Sequence, residues 1–280
     1  MSVRVKAYAK LNLTLSITGS SGGYHMLDSL VCSVDLFDLI VLKKRKDSKI
    51  LIQMHGQGTE LLPYDENNAA RAAESYINAF GTCGADITIY KNIPLGAGLG
   101  GSSADAAGVL IGMTKLYGAG SEKQLKELAD GLGSDTGYML TGGYARLLGR
   151  GDKVEFIDSK LNLNFLLLKP NGGVSTAECY KQYDSMPQAS ISSESALRAV
   201  ISGDRAALGA CLNNALYAPA AILNPEVKTA YKELEAFSPL GVCMTGSGSA
   251  VFALFENAEF CRWAQSRYKG KFKCIQLKTI

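Results

Sequence analysis

Several common signatures are missing from this sequence. It has only two histidines, His25 and His55, and its seven cysteines form no Cys-x-x-Cys pair, so the spacing offers no ligand set for a zinc site. No apolar run approaches the length that would span a bilayer. The first residues already alternate like a strand, and a charged segment followed by an apolar one is lacking. We therefore expect neither a membrane segment nor a signal peptide.

Strong charge of one sign is also lacking. The formal net charge is +3, and the one dense basic run, residues 43–46, is typical of the solvated end of a hairpin. Nothing here implies a nucleic-acid or membrane partner. The cysteines lie mostly among apolar neighbours, which predicts buried thiols in the reducing cytoplasm. A chain of 280 residues with no low-complexity linker predicts two tightly packed domains with a site between them.

One stretch, residues 91–108, has an unusual composition. Glycine occupies positions 96, 98, 100 and 101, two serines follow, and then small helix-forming residues. Backbone amides at a helix start, together with the helix dipole, favour a bound anion. The pattern therefore predicts a phosphate-binding loop that leads into a helix. Ser102 or Ser103 would cap this helix or offer a hydroxyl to a magnesium ion.

Other interpretations of this loop have weaker support. The ATPase loop is excluded because no Gly-Lys-Ser or Gly-Lys-Thr occurs in the chain. The dinucleotide fingerprint matches formally at Gly96, Gly98 and Gly101. However, Pro94 separates these glycines from the preceding strand, and the acid at the expected distance, Glu122, opens a helix. A glycine-rich turn that binds nothing is the plain alternative, but the two serines and the alanine-rich helix start argue against it.

Residues 94–104 resemble the nucleotide loop of the GHMP small-molecule kinases, named for galactokinase, homoserine, mevalonate and phosphomevalonate kinases. The resemblance implies ATP and Mg²⁺ as cofactors, with Ser103 as a magnesium ligand. It extends to residues 65–68 at a helix start, which an ordinary N-cap would explain equally well, and to the glycine turn at 246–248. The implied nucleotide-binding residues are Asn67, Lys91, Pro94, Leu95, Gly96, Ala97, Gly98, Leu99, Gly100, Gly101, Ser102, Ser103, Ala104, Gly246 and Ser247.

Two further motifs would supply the catalytic residues. Lys10 and Asn12 share one face of an alternating strand, which would ordinarily be a solvated face. Their segment resembles the first motif of one GHMP branch, in which the lysine lies beside the acceptor hydroxyl. Asp135, between Gly133 and Gly137, would by itself be an aspartate that caps a turn. It resembles the Gly-x-Asp motif of the family, whose aspartate faces that lysine and accepts or orients the acceptor proton, while the lysine lowers the pKa of the hydroxyl.

Recognition of the substrate is implied by Gly23-Tyr24-His25 after the first strands. This motif resembles the signature of a GHMP branch whose substrate carries a cytidine diphosphate group. An aromatic ring can stack on the base, and an imidazole with a backbone amide can bind its edge. Tyr180 lies where the family has an aromatic residue that covers the other face of the base. The family usually has a turn one residue longer before this signature, and Asn-Asp where this chain has Asn213-Asn214.

The resemblance implies an α+β, two-domain GHMP-kinase-like fold with the active site in the cleft between the domains. Residues 1–157 would form a nucleotide-binding domain like the second domain of ribosomal protein S5, and residues 158–280 a C-terminal α+β domain. Local patterns predict strands at 29–34 and 38–42, a helix ending at Gly81, a strand at 85–90, a loop helix ending at Gly118 and a capping box at Ser121. They also predict one helix over 205–216.

The implied activity is transfer of the γ-phosphoryl group of ATP to the C2 hydroxyl of a methylerythritol unit linked to cytidine diphosphate, in the non-mevalonate route to isoprenoid precursors. Two alternatives remain at this point. One is another GHMP kinase acting on homoserine, mevalonate or a sugar, and the other is a nucleotide-binding regulator without catalysis. We expect a cytoplasmic monomer or weak homodimer.

Overall fold

The computed structural model describes residues 1–56, 58–59, 67–187 and 192–280. Strands and helices alternate irregularly along the chain. The strands are β1 Ser2–Asn12, β2 Thr14–Ser21, β3 Tyr24–Lys44, β4 Leu51–His55, β5 Ala85–Tyr90, β6 Tyr144–Gly149, β7 Lys153–Ile157, β8 Asn164–Lys169, β9 Asn213–Asn214, β10 Gly241–Met244, β11 Val251–Phe255 and β12 Lys273–Lys278. The helices are α1 Asn68–Phe80, α2 Gly101–Tyr117, α3 Glu122–Asp130, α4 Thr136–Met139, α5 Thr176–Asp184, α6 Glu194–Ser202, α7 Arg205–Cys211, α8 Tyr217–Leu223, α9 Glu226–Glu235 and α10 Ala258–Arg267.

The first of two compact units comprises Met1–Ala9, Leu36–Pro94 and Gly100–Gly142. Within it, β5 pairs antiparallel with the second half of β3, and β4 pairs parallel with β5. Helix α2 packs closely on β3 because it has glycines where it meets the strand. A Cβ on Gly108 would lie 2.5 Å from Ile40 Cδ1, and a Cβ on Gly112 would lie 2.3 Å from Leu42 Cδ1. These two glycines therefore set how near the helix lies to the strand.

The second unit comprises Lys10–Asp35, Leu95–Leu99 and Gly143–Ile280. The first half of β3 pairs antiparallel with β2 and β6, β7 pairs with β6, and β9 pairs parallel with β2. A separate antiparallel sheet has the order β10-β11-β8-β12. The core of this unit includes alternate residues of β8 and β11 packed with apolar side chains of α9 and α10, such as Leu166, Ala253, Leu234 and Cys261.

Most of the predicted elements are confirmed. Helix α1 ends at Gly81, which is left-handed with φ 63°, and β5 has the predicted bounds. Helix α2 ends at Gly118, also left-handed, and Ser121 and Gln124 form the predicted capping box of α3. The seven cysteines are free thiols, and four of them are buried, as the apolar surroundings predicted.

Two predictions of secondary structure name the right kind of element over part of their length but have the wrong bounds. The strands expected at 29–34 and 38–42 are parts of the single 21-residue strand β3. Pairing with β2 and β6 at one end and with β5 at the other keeps both halves extended. The helix expected over 205–216 ends at Cys211, and Asn213 and Asn214 form β9. The parallel pairing of Asn213 with Thr14, and of Asn214 with Leu15, replaces helical hydrogen bonds there.

Candidate active site

The loop that precedes α2 is built on left-handed glycines. Gly96, Gly98 and Gly100 have φ values of 59°, 73° and 71°, a region that favours glycine because it has no Cβ. Gly100 is the N-cap residue of α2, and no side chain accepts a capping hydrogen bond there. The amides of the first helical turn therefore remain available, and with the helix dipole they suit an anion such as phosphate.

Neither serine of the loop caps α2, because both lie inside its first turn. The capping role considered for Ser102 or Ser103 is therefore wrong. Ser102 Oγ instead accepts a hydrogen bond from Asn68 Nδ2 at 2.9 Å. A Cβ on Gly133 would lie 3.5 Å from Ser103 Oγ, so Ser103 lies against the start of the segment that carries Asp135.

Asp135 immediately precedes the short helix α4. It occupies the N-cap position, but its side chain makes no capping hydrogen bond, so the turn-capping interpretation does not hold. The neighbouring Thr136 and Gly137 are buried and Asp135 is partly exposed. This segment and the first turn of α2, with Ser103, belong to the same compact unit.

The glycine turn between β10 and β11 contacts the phosphate loop directly. Thr245 Oγ1 donates to the carbonyl oxygen of Gly98 at 3.1 Å, and the Ser249 amide donates to that of Gly96 at 3.1 Å. A Cβ on Gly98 would lie 2.0 Å from the Thr245 carbonyl oxygen, so the close approach itself requires glycine. Gly246 takes part in this approach, and Ser247 Oγ hydrogen-bonds to Thr176 Oγ1 at 2.9 Å.

Lys10 and Asn12 are buried, with 4% and 3% of their surfaces exposed, so the solvated-face interpretation of their strand is wrong. The Lys10 ammonium donates to Asn12 Oδ1, and the Lys10 amide donates to the Leu99 carbonyl oxygen at 3.1 Å. Asn12 Oδ1 also accepts from the Gly246 amide at 3.0 Å, and its Nδ2 donates to Ser29 Oγ at 2.8 Å. Asn12 therefore links Lys10 to the glycine turn that holds the phosphate loop.

Asn67 is the N-cap residue of α1, and its Oδ1 accepts a hydrogen bond from the Ala69 amide at 2.9 Å. Its Nδ2 lies 3.1 Å from the sulfur of Met54. The ordinary capping explanation is thus satisfied in the structure. The preceding residues Asp65 and Glu66, which belong to the same motif, lie outside the described residues.

Lys91 lies at the end of β5, and its ammonium is buried between the carboxylates of Asp38 and Asp105. Burial opposes its charge, but the two carboxylates together raise the pKa of Lys91 above its ordinary value. A Cβ on Gly101 would lie 3.6 Å from Lys91 Nζ, so the ammonium lies directly behind the first turn of α2. The structure therefore places Lys91 as a support for that turn.

The motif expected to bind a base lies on the β2–β3 hairpin. Gly22 and Gly23 have φ values of 59° and 80°, as a two-residue hairpin turn of the favoured twist requires. Tyr24 is 57% exposed, and the Arg150 guanidinium lies 4.8 Å from the centre of its ring. The His25 imidazole stacks on Tyr180 with 4.6 Å between ring centres and 21° between planes. One face of Tyr180 is therefore covered by His25.

Several residues of the site escaped sequence analysis. Asp38 and Asp105 hold Lys91, Asp184 contacts His25 Nε2 at 2.7 Å, and Arg150 lies over Tyr24. For Asp105 a signal existed, since a carboxylate within an alanine-rich helix start needs a buried partner. The other three contacts join residues far apart in the chain and have no local signature.

Two segments of the chain match family models. Residues 67–145 match the GHMP kinases N terminal domain, and residues 195–261 match the GHMP kinases C terminal domain. With the phosphate loop and the glycine turn that contacts it, these matches define the class of protein. The chain belongs to the GHMP kinases, which are ATP-using phosphotransferases, and has their two-domain α+β fold.

More particular relatives cover nearly the whole chain. A 4-diphosphocytidyl-2-C-methyl-D-erythritol kinase from Pelotomaculum thermopropionicum is 37% identical, with 96% of this chain and 94% of the relative covered. The enzyme of that name from Moorella thermoacetica is 38% identical, with 98% of each covered. A crystal structure of 4-(cytidine 5'-diphospho)-2C-methyl-D-erythritol kinase superposes with a TM-score of 0.80 at 32% identity, covering 98% of this chain and 99% of that one.

A homoserine kinase from Cytophaga hutchinsonii also superposes, with a TM-score of 0.72 at 19% identity over 100% of this chain and 94% of that one. At this identity the likeness concerns the fold alone. Helices of the described residues are all too short or too polar to cross a membrane. Among the described residues, no three His, Cys, Asp or Glu side chains lie close enough together to hold a metal ion by themselves.

Proposed function

We propose that this chain transfers the γ-phosphoryl group of ATP to the C2 hydroxyl of 4-diphosphocytidyl-2-C-methyl-D-erythritol, in the non-mevalonate route to isoprenoid precursors. The observation that carries the proposal is the stacking of His25 on Tyr180. It joins the two parts of the chain expected to bind a cytosine, in a protein whose full-length relatives bear the name of this kinase. We also propose that residues 1–157 form the nucleotide-binding domain and residues 158–280 the C-terminal domain. The boundary between them falls between the two family matches.

ATP phosphates would bind the backbone of residues 96–103. The left-handed glycines and the uncapped start of α2 support this assignment, because both leave amides for an anion. Ser103 is the proposed magnesium ligand, and a bound magnesium ion would neutralise charge on the phosphates. The residues present fit an ion held largely by phosphate oxygens, since Mg²⁺ in kinases keeps few protein ligands.

Lys10 and Asp135 are the proposed catalytic residues. As the bond between the acceptor oxygen and the γ-phosphorus forms, the bond from that phosphorus to the bridging oxygen of ADP breaks, and Asp135 accepts the hydroxyl proton. Lys10 would stabilise negative charge on the acceptor oxygen. The hydrogen bond from the Lys10 ammonium to Asn12 Oδ1 supports a fixed position for the positive charge of Lys10.

The cytidine diphosphate end of the substrate is assigned to Tyr24, His25 and Tyr180, with Asn12 near the acceptor. The exposed ring of Tyr24 offers a surface for stacking. We also propose a cytoplasmic monomer or weak homodimer, which sedimentation of the purified protein would test. The free cysteines are consistent with a reducing compartment.

A coupled assay of ADP release tests the proposed substrate. We expect turnover with 4-diphosphocytidyl-2-C-methyl-D-erythritol, and kcat/KM at least about 100-fold lower with mevalonate or homoserine, because these two substrates lack the cytidine that the proposed base-binding residues contact. Preference for mevalonate or homoserine would favour the rival kinase functions. Absence of ADP release with every acceptor would favour the regulator.

A further inference from the structure

The His25 imidazole is held on three sides by the last turns of α5. Its Nε2 lies 2.7 Å from Asp184 Oδ1, a residue 159 positions later in the sequence. Tyr180 stacks on its face, and Tyr183 meets it edge-on with 6.1 Å between ring centres and 84° between planes. Rotating the ring by half a turn would break the contact with Asp184. The position and the orientation of the imidazole are therefore both fixed by α5.

The contact with Asp184 also determines where the imidazole proton lies. A carboxylate oxygen only accepts hydrogen bonds, so His25 Nε2 must be the donor. In a neutral imidazole that carries its proton on Nε2, the other nitrogen, Nδ1, is an acceptor. When the ring is neutral, Asp184 thus holds His25 in the tautomer that presents a hydrogen-bond acceptor at Nδ1.

We propose that Asp184 is a positioning residue through which His25 selects cytosine over uracil. The inference rests on the proposed function. Cytosine presents an amino group, a donor, at the position where uracil presents a carbonyl oxygen, an acceptor. An acceptor at Nδ1 can accept a hydrogen bond from the amino group of cytosine. With uracil it would face the carbonyl oxygen, a second acceptor, and the two would repel each other. The choice of base therefore depends on which nitrogen of His25 carries the proton.

A purely structural role for Asp184 makes a different prediction. If the contact only ties the hairpin to α5, its loss would lower stability and would change turnover of every substrate alike. A purely structural role would not change the preference of the enzyme for one base over the other. The test therefore compares substrates that differ only in the base.

The experiment measures kcat/KM for the cytidine diphosphate substrate and for its uridine diphosphate analogue, in the wild type, Asp184→Ala and Asp184→Asn. We expect the preference for cytidine to fall about 5- to 150-fold in both variants, the range for one base-specific pairing. The loss should appear in KM, with kcat at saturation little changed. Glu178→Gln, which removes an exposed carboxylate from the same helix, is the matched control and should keep the wild-type preference.

Nitrogen NMR of isotope-labelled protein adds a readout that needs no activity. The chain has two histidines, so a His55→Gln variant assigns both rings. At a pH above the usual titration range of imidazole, His25 should carry its proton on Nε2 in the wild type and lose this preference in Asp184→Ala. A wild-type His25 protonated on Nδ1, or an unchanged preference for cytidine in both variants, would overturn the inference while leaving the proposed function intact. A wild type that does not turn over the cytidine substrate would overturn both.

Discussion

Asp135 occupies the N-cap position of α4, but its side chain makes no capping hydrogen bond, and we propose that its carboxylate accepts the proton of the acceptor hydroxyl. We expect Asp135→Asn to lower kcat about 100-fold or more, because the amide cannot accept the acceptor proton. The dissociation constant of ATP should hardly change, since the phosphates are assigned to the backbone of the loop. The coupled assay gives kcat, and titration calorimetry gives ATP binding.

The control for this variant is Glu127→Gln, which removes an exposed carboxylate from the neighbouring helix α3. It should retain wild-type kcat. Full turnover by Asp135→Asn would remove Asp135 from the proposed mechanism, whatever its effect on KM.

Asp105 gives a prediction about stability and pH. Burial raises its pKa to about 7 against the opposing charge of Lys91, whereas an unfolded aspartate titrates near about 3.9. Between these values the folded state binds more protons than the unfolded state, so stability falls as pH rises. We expect the free energy of unfolding of the wild type, relative to Asp105→Asn, to fall by about 1 kcal/mol or more from about pH 4 to about pH 7, as measured by urea denaturation.

Above the raised pKa both states are ionised and the difference should level off. Asp158→Asn replaces an exposed aspartate in the other unit and serves as the control. Its curve should run parallel to that of the wild type. A parallel curve for Asp105→Asn as well would mean that the pKa of Asp105 is the same in the folded and unfolded states.

At the scale of elements, the packing of the phosphate loop against the glycine turn can be tested at Gly98. Alanine there is strained by the positive φ of 73° and also meets the Thr245 carbonyl oxygen at 2.0 Å. Gly203→Ala is the matched control, because its φ is 75° and nothing lies within 4 Å. In both variants the free energy of unfolding should fall by about 1–2 kcal/mol, the cost of holding an alanine in the left-handed conformation.

The free energy of unfolding of Gly98→Ala, measured by urea titration, should fall by a further amount of about 1–3 kcal/mol, which is the usual cost of overpacking. Its KM for ATP should also rise, because the loop must shift. Equal losses in the two variants would show that the loop does not pack against Thr245 in solution.

Elements with strong local signals could be predicted from the sequence. Helix α2 is bounded by Gly100 and Gly118, and α3 by its capping box, so local chemistry alone determines their ends. The two-residue strand β9 could not be predicted, because Asn213 and Asn214 are extended only by pairing with β2. The continuity of β3 also has no local signal, since it depends on partners from distant parts of the chain.

At the scale of the whole molecule, the sequence displays the motifs that name the candidate residues, but not the residues that support them in the structure. Lys10 and Tyr180 follow from motifs that the sequence displays. Asp38 contacts Lys91, and Asp184 contacts His25. These supporting contacts form only when elements distant in sequence pack together, so the sequence alone does not predict them. Tertiary contacts therefore supply the part of the site that orients the motif residues.

Ligand binding should stabilise the entire fold by mass action. At about 100 times its dissociation constant, Mg-ATP should add about 2.7 kcal/mol, which corresponds to a rise in Tm of about 5–10 °C for a chain of this size. Cytidine diphosphate should also raise Tm, because it too is proposed to bind the folded protein. Since its proposed site differs from that of ATP, its effect should add to that of Mg-ATP. NAD is the discriminating control, since the glycine pattern formally matches a dinucleotide fingerprint. A shift with NAD as large as with ATP, measured by scanning calorimetry, would contradict the kinase interpretation of the loop, because a loop built for a triphosphate has no additional contacts for the second nucleoside.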